Sequence, residues 1–137
     1  MFLFDRMDVK LVQSLLETIP MELTVIDAND EVIAWNKHDT RLFHRPTSSM
    51  GINFRECHPK ESLDKVERIV AEMKAGTRQK ASFWIHLQVP YDQTKKHLIL
   101  IEFFALRDPS GKYIGCVECT QDVEEIRGLS GERRLLD

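Results

Sequence analysis

The stretch Leu98–Arg107, LILIEFFALR, restricts the fold of this chain more than any other segment. Side chains of an extended strand alternate between its two faces. Ile99, Ile101, Phe103 and Ala105 then point one way, and Leu98, Leu100, Phe104 and Leu106 point the other. An antiparallel strand with one solvated face alternates apolar and polar residues. This one is apolar on both sides, so something must cover each. A layer of helices accounts for one face; the second needs a further helix or another subunit.

The flanking sequence supplies the rest of a sheet. "KASFWIHLQV" precedes the run and "YIGCVECTQD" follows it, joined by a loop containing "PYDQTKK" and by the turn "DPSGK". Further upstream, "ELTVIDANDEVIAWN" reads as two short strands around the polar turn "DAND". The helical signals are separate from these. Phe4, Met7, Leu11, Leu15 and Ile19, widened by Val12 and Leu16, predict an amphipathic helix over Asp5–Thr18, closed by Pro20. Lys37–Gly51 breaks into short helical pieces. Leu63, Val66, Ile69, Val70 and Met73 predict a second helix over Ser62–Ala75, with Gly76 at the position of a C-cap. The ending "VEEIRGLSGERRLLD" is charged and helix-prone, weakened by Gly128 and Gly131. The expected class is α+β: a five-stranded antiparallel sheet with helices on one face and the N-terminal amphipathic helix on the other. The expected organisation is a helix over residues 1–20, a core over 21–123, and a signalling or linker segment over 124–137.

Composition narrows the function classes. The chain has 137 residues, 42% hydrophobic and 30% charged, which suits one packed domain. A formal net charge of −3, with basic and acidic residues mixed, argues against a nucleic-acid partner. No apolar run approaches the roughly 18 residues of a membrane span. The opening has no basic region before a long apolar core, so no signal peptide is expected. Three cysteines, Cys57, Cys116 and Cys119, suit free thiols in a reducing compartment. A cytoplasmic location is the expectation.

Four segments taken in order carry a family resemblance: "LTVIDANDEVIAWN" ending at Asn36, "SSMGIN" before a turn, "CHP" leading into a helix, and "LRDPSGKYIGCVECTQDV". Together they resemble a PAS domain, a sensory and interaction module, over about Ser14 to Arg127. Asp122–Val123 looks like the aspartate-led motif that closes such domains and passes signals to a following helix. The wording "FRECHPKES…VERIVAEMKAG" is most similar to PAS modules attached to hemerythrin-like domains in bacterial proteins. The chain departs from the family at Asp30, where glycine is common in the first hairpin turn, and at His38, where alanine is common. The resemblance implies a PAS-like sheet and an inner cavity faced by Ile99, Ile101, Phe103, Tyr113, Val117 and Cys119.

"GINFRECH" runs parallel to the flavin motif G-x-N-C-R-F-L-Q of light-sensing relatives, but Phe54 stands at the adduct-forming cysteine and Val117 at the glutamine of the last strand. That argues against flavin adduct chemistry. Some PAS sensors hold haem iron through a histidine near the long helix, and His58 is placed for it. The competing reading makes His58–Pro59 a helix entrance, with proline in the first turn and the imidazole bonded to nearby backbone. "CVEC" has zinc-site spacing, yet residues three apart in a strand face opposite sides, so no metal site is expected. Glu102 and Glu118, in neighbouring strands, could form an acid–base pair. The favoured reading puts both on the outer face beside Leu100 and Phe104, ion-paired with basic residues of the N-terminal helix or a partner. Trp84 and His86 share a face that the sequence does not assign.

The functional expectation is a non-enzymatic sensory domain that binds a small ligand or partner protein and reports through its terminal helices. A homodimer through the N-terminal helix and outer sheet face would cover the doubly apolar strand. One alternative is a haem-dependent gas or redox sensor with His58 as axial ligand. Another is a small enzyme on a cone-shaped α+β scaffold, which needs a polar-floored cavity where ionisable groups converge.

Overall fold

The structure is a computed structural model and describes residues 4–136. Met1–Leu3 of the expected N-terminal unit, and Asp137, lie outside the described residues. Five strands form one sheet: β1 Glu22–Asp27, β2 Val32–Trp35, β3 Lys80–Val89, β4 Asp92–Arg107 and β5 Tyr113–Asp122. Their spatial order is β2-β1-β5-β4-β3, and every neighbouring pair is antiparallel. Two α-helices accompany them, α1 Val9–Thr18 and α2 Lys60–Lys74. The expected α+β sheet architecture is present.

β4 behaves as its sequence demands. Ile99, Ile101 and Phe103 are buried on the inner face, against Val66, Val70 and Met73 of α2 and the ring of Phe54. Burial of each such side chain stabilises by about 1.5–3 kcal/mol relative to exposure. Leu98, Leu100 and Phe104 lie half-buried on the outer face. Glu102 shares that face and meets Lys80 Nζ at 3.0 Å and Ser82 Oγ at 2.7 Å, both from β3. Trp84 and His86 pair with Leu100 and Leu98, which puts them on the outer face too; Trp84 is 66% exposed.

α2 stops where the chain chemistry says it must. Gly76 has φ of 81°, a left-handed position that suits glycine, and its N–H donates to Met73 O. In the first hairpin, Asp30 takes the left-handed position at φ 67°, which explains why relatives favour glycine there. Its carboxylate is held by Arg55 at 3.0 Å and Lys74 at 2.8 Å.

Three expectations are corrected. The segment "PYDQTKK" is not a loop: Val89 pairs with Asp92, so Pro90 and Tyr91 alone form the turn and Asp92–Lys96 already belong to β4. The C-terminal segment forms only a 3-10 turn at Ile126–Gly128, consistent with the poor helix propensity of its glycines. α1 begins at Val9, later than Asp5, because Asp8 caps it by accepting from Leu11 N at 2.8 Å.

Among the described residues, the hydrogen bonds that tie α1 to the sheet lie at its C-terminal end. Asn36, buried at the end of β2, donates to Leu16 O at 2.6 Å and Met21 O at 3.0 Å and accepts from Leu23 N at 2.6 Å. Lys37 N donates to the Glu17 carboxylate at 2.9 Å. No residue of α1 is buried, and Leu11, Leu15 and Leu16 remain 54%, 43% and 40% exposed.

The register of β5 decides which side chains reach the interior. Leu106 pairs with Gly115 while Arg107 pairs with Tyr113, so Ile114 is an extra residue with no opposite number. Such a bulge shifts every later side chain to the other face. Phe103 therefore sits opposite Glu118, and Ala105 opposite Cys116. Gly115 carries the close approach to β1: a Cβ there would lie 2.5 Å from Ile26 O.

Candidate functional site

Between the inner sheet face and α2 lies a small cavity. Its walls are Ile26, Val32, Phe54, Val66, Phe103 and Cys116, and its polar lining comes from Thr24, Arg45, His58 and Glu118. The space open to the centre of a water molecule is about 20 Å³, room for about one water.

The polar floor is built by the loop after β2. Arg41 and Arg45 both reach the sheet across Thr24, whose hydroxyl oxygen accepts from Arg41 Nη2 at 3.0 Å and from Arg45 Nε at 2.7 Å. Arg41 also donates to the carbonyls of Asn36 and Phe43 and lies 3.8 Å from the Glu22 carboxylate. Glu22 in turn accepts from the backbone N–H of Leu42 and Phe43. Burial pushes the Arg41 guanidinium below its ordinary value, against the pull of Glu22.

His58 enters from the other side. Asn53 caps the 3-10 turn Phe54–Glu56 by accepting from Arg55 N, and His58 follows it directly before α2. Its Nδ1 lies 2.8 Å from Phe54 O; a carbonyl only accepts, so Nδ1 carries the hydrogen. Its Nε2 faces the Glu118 carboxylate at 3.9 Å. Glu118 first, then the Phe54 carbonyl, raise the imidazole above its ordinary value against the opposing effect of burial. Arg45 meets the other oxygen of Glu118 at 3.4 Å. Both separations exceed the 2.7–2.9 Å of a tight charge-assisted bond. The Cys116 thiol is pushed up to about 12 by burial, so it is a neutral wall.

A second constellation stands where β5 leaves the sheet. His97, buried, has Nδ1 2.6 Å from Asp122 and Nε2 2.7 Å from Asp92. Tyr91 Oη also donates to Asp122, and Asp92 accepts from Thr94 N at 2.9 Å and from its hydroxyl at 2.5 Å. Asp92 first and then Asp122 raise the imidazole of His97. Asp92 is held well below the usual carboxylate range, by Thr94 and then His97. This ties the β3–β4 turn to the Asp122–Val123 exit.

Of the residues singled out from sequence, His58 and Phe103 line the cavity. Ile99 and Ile101 share its face but pack within the core, and Tyr113 borders a surface groove with Lys74, Gly76 and Arg107. Val117 and Cys119 do not face the cavity. The Ile114 bulge sends them outward, opposite Phe104 and Glu102, and brings Cys116 and Glu118 in. Glu118 is accordingly an inner residue, not the outer one expected. Thr24 and Arg45 were missed, and Glu118 was named but on the wrong face. The one available signal was Gly115, since a glycine inside a strand pattern marks a bulge.

His58 does not fit as a haem ligand: both ring nitrogens already face partners, and pockets that hold drug-sized ligands run to about 300–1,000 Å³. The convergence of Arg45, Glu118 and His58 meets the first requirement of an enzyme site. The second, room for a guest of any kind, is about 20 Å³ in this arrangement and must be enlarged by movement of the lining.

Residues 12–124 match the sequence family described as PAS domain. Among solved structures, the C-terminal domain of a Streptococcus mutans protein is similar with TM-score 0.78 and 26% identity, covering 90% of each chain. A sensory box sensor histidine kinase from Vibrio cholerae is similar with TM-score 0.56 and 16% identity, over 83% of this chain and 90% of that one. The phage VqmA-DPO complex is similar with TM-score 0.59 and 15% identity, over 88% of this chain and 55% of that one. No curated protein matches the chain.

Proposed function

The chain belongs to the PAS domain family, and from that premise we propose that it is a sensory module whose inner cavity takes a small ligand and whose terminal segments report it. The observation that carries this reading is the loosely paired charge cluster inside an apolar wall. A protein that needed only stability would gain from apolar packing there, because buried ion pairs are often neutral or costly relative to it. The mechanism is a population shift: a guest among Arg45, His58 and Glu118 favours one packing of α2 against β5, and β5 leads straight to the exit at Asp122–Val123. Residues 21–123 then form the sensing core, flanked by α1 and the segment 124–137. Solved relatives of similar fold include one in complex with DPO and one named as a sensor histidine kinase. The wording shared with PAS modules beside hemerythrin-like domains suggests an effector of that class.

α1 and the outer sheet face are the proposed homodimer surface. Leu11, Leu15 and Leu16 stay open on α1, and Trp84 and Ile114 on the sheet strands. Among the described residues no helix is long and apolar enough to cross a membrane, so this stripe has no role as a span. Sedimentation should show a dimer at micromolar concentration, and Leu15→Glu should return it to a monomer; a wild-type monomer at high concentration removes the proposal.

The ligand reading is tested by native mass spectrometry on untagged protein with a visible absorption spectrum. Retained small-molecule mass supports it. A colourless, mass-exact apoprotein that also shows no shift of cavity amides in a fragment screen overturns it.

A further inference from the structure

We propose that the guest of the inner cavity is a monocarboxylate with a short apolar tail, received by Arg45, His58 and the Thr24 hydroxyl in competition with Glu118. The proposal rests on the ligand-binding reading above and names the class of molecule. Its first ground is hydrogen-bond counting. Thr24 Oγ1 already accepts two guanidinium N–H groups, so both lone pairs are used. Its own hydrogen is therefore a donor, and it finds no acceptor among the described residues. His58 Nδ1 is spent on Phe54 O, which leaves Nε2 as the ring's only group for the cavity. Arg45 spends Nε on Thr24 and meets Glu118 only at 3.4 Å. Two donors, and a third once His58 is protonated, thus surround a water-sized space that holds one carboxylate, and neither oxygen of that carboxylate is tightly bound.

Charge gives the same answer. Arg41, Arg45 and a protonated His58 stand against Glu22 and Glu118, and the backbone carbonyls around Arg41 take no charge. The side chains of all five are at most 18% exposed. Buried charge must be paired, and this cluster is one anion short when His58 is protonated. The surrounding wall of Ile26, Val32, Phe54 and Val66 is apolar, so the anion's remainder must be apolar too.

The route in is the groove beside Arg45. Arg45 also lines an open surface groove of about 460 Å³ with His44, Pro46, Ser49, Ile52, Glu56 and Cys57. Arg45 is the residue that the groove and the cavity share. On this proposal Arg45 gives up its 3.4 Å contact with Glu118 to admit the guest from the groove, and the incoming carboxylate offers it a replacement partner. No bond is made or broken; the exchange is of one ion pair for another.

The test titrates the full chain with sodium hexanoate, hexan-1-ol and hexylammonium, read by calorimetry and by amide shifts of Thr24, Phe54, His58 and Glu118. Hexanoate is expected to bind at least tenfold more tightly than either other probe. Arg45→Gln should weaken it at least tenfold. Glu118→Gln removes the competing carboxylate and should tighten it several-fold, a result that a purely structural Glu118 does not give. Equal or better binding of hexan-1-ol or hexylammonium overturns the anionic class while leaving a ligand-binding domain. Weaker hexanoate binding in Glu118→Gln overturns the competition. If no probe moves these amides and the native mass spectrum retains nothing, the ligand reading falls as well.

Discussion

His58 and His97 both stand on the inner side of the sheet and both meet carboxylates, yet the two surroundings are built to opposite tolerances. At His97 each ring nitrogen touches a carboxylate oxygen, at 2.6 and 2.7 Å. Both nitrogens must donate, so the ring is an imidazolium clamped between β4 and β5. At His58 one nitrogen is satisfied by backbone and the other looks across 3.9 Å at Glu118, beside an unfilled space. A saturated cluster has one arrangement. A slack one has several of similar free energy, and a guest selects among them only in proportion to its differential affinity. The clamp holds the exit of the chain, while the slack cluster has the freedom to respond.

That contrast can be broken experimentally. The largest effect is expected at the shared edge of the cavity cluster: Arg41→Ala leaves Glu22 buried without its cation, a loss of about 3–5 kcal/mol in denaturant unfolding. A loss below about 1 kcal/mol would mean that water reaches Glu22 and that the cluster is not dry.

Next comes the clamp. His97→Gln places Asp92 and Asp122 near each other without a cation, and the thermal midpoint should drop by roughly 5–10 °C. Hydrogen exchange should quicken most at Val123, whose N–H donates to Leu98 O at 2.9 Å. An unchanged midpoint would reduce the clamp to a surface contact.

The pH dependence follows from the directions of the shifts. The folded value of His97 is raised, so its contribution is full below about 6.5 and is lost as pH rises through the folded value. Asp92 and Asp122 are depressed; for Asp122 burial acts upward but bonds from Tyr91, the Glu124 N–H and His97 outweigh it. Their contribution is present above the ordinary carboxylate value and is lost only as pH falls through the lowered ones. Thermal midpoints against pH should fall on the alkaline side in the wild type and flatten there in His97→Gln.

The smallest effect belongs to His58→Gln, about 1 kcal/mol, the net worth of its bond to Phe54 O. Both imidazoles should titrate above the ordinary value by NMR, His97 at the higher pH because two carboxylates touch it. If His58→Gln destabilises as much as His97→Gln, the two sites are equally rigid and the contrast fails.

Much of the fold was legible because long β-strands and α2 are written in periodic apolar residues. The run Leu98–Leu106 announced the central strand, buried on its inner face and half-buried on its outer one, and Gly76 marked the end of α2 through its left-handed backbone. The site was harder to read. One extra residue at Ile114 inverted the phase of β5, so the register taken from the family resemblance pointed to Val117 and Cys119 where Cys116 and Glu118 belong. Arg45 and Thr24 were hidden for another reason. Their meeting depends on the path of an irregular loop across the sheet, which no periodicity encodes. The Asp92–His97 clamp was obscured because the polar residues before His97 read as loop.

The Asn36 side chain spans three stretches of backbone: the last turn of α1, the link that follows it, and the first residues of β1. α1 cannot be drawn away without stranding a buried amide, so a pull on the helix is felt at Leu23. The adjacent residue is Thr24, whose hydroxyl holds both arginines. Asn36, with Lys37 on Glu17 beside it, thus couples the end of α1 to the strand that carries the cavity floor.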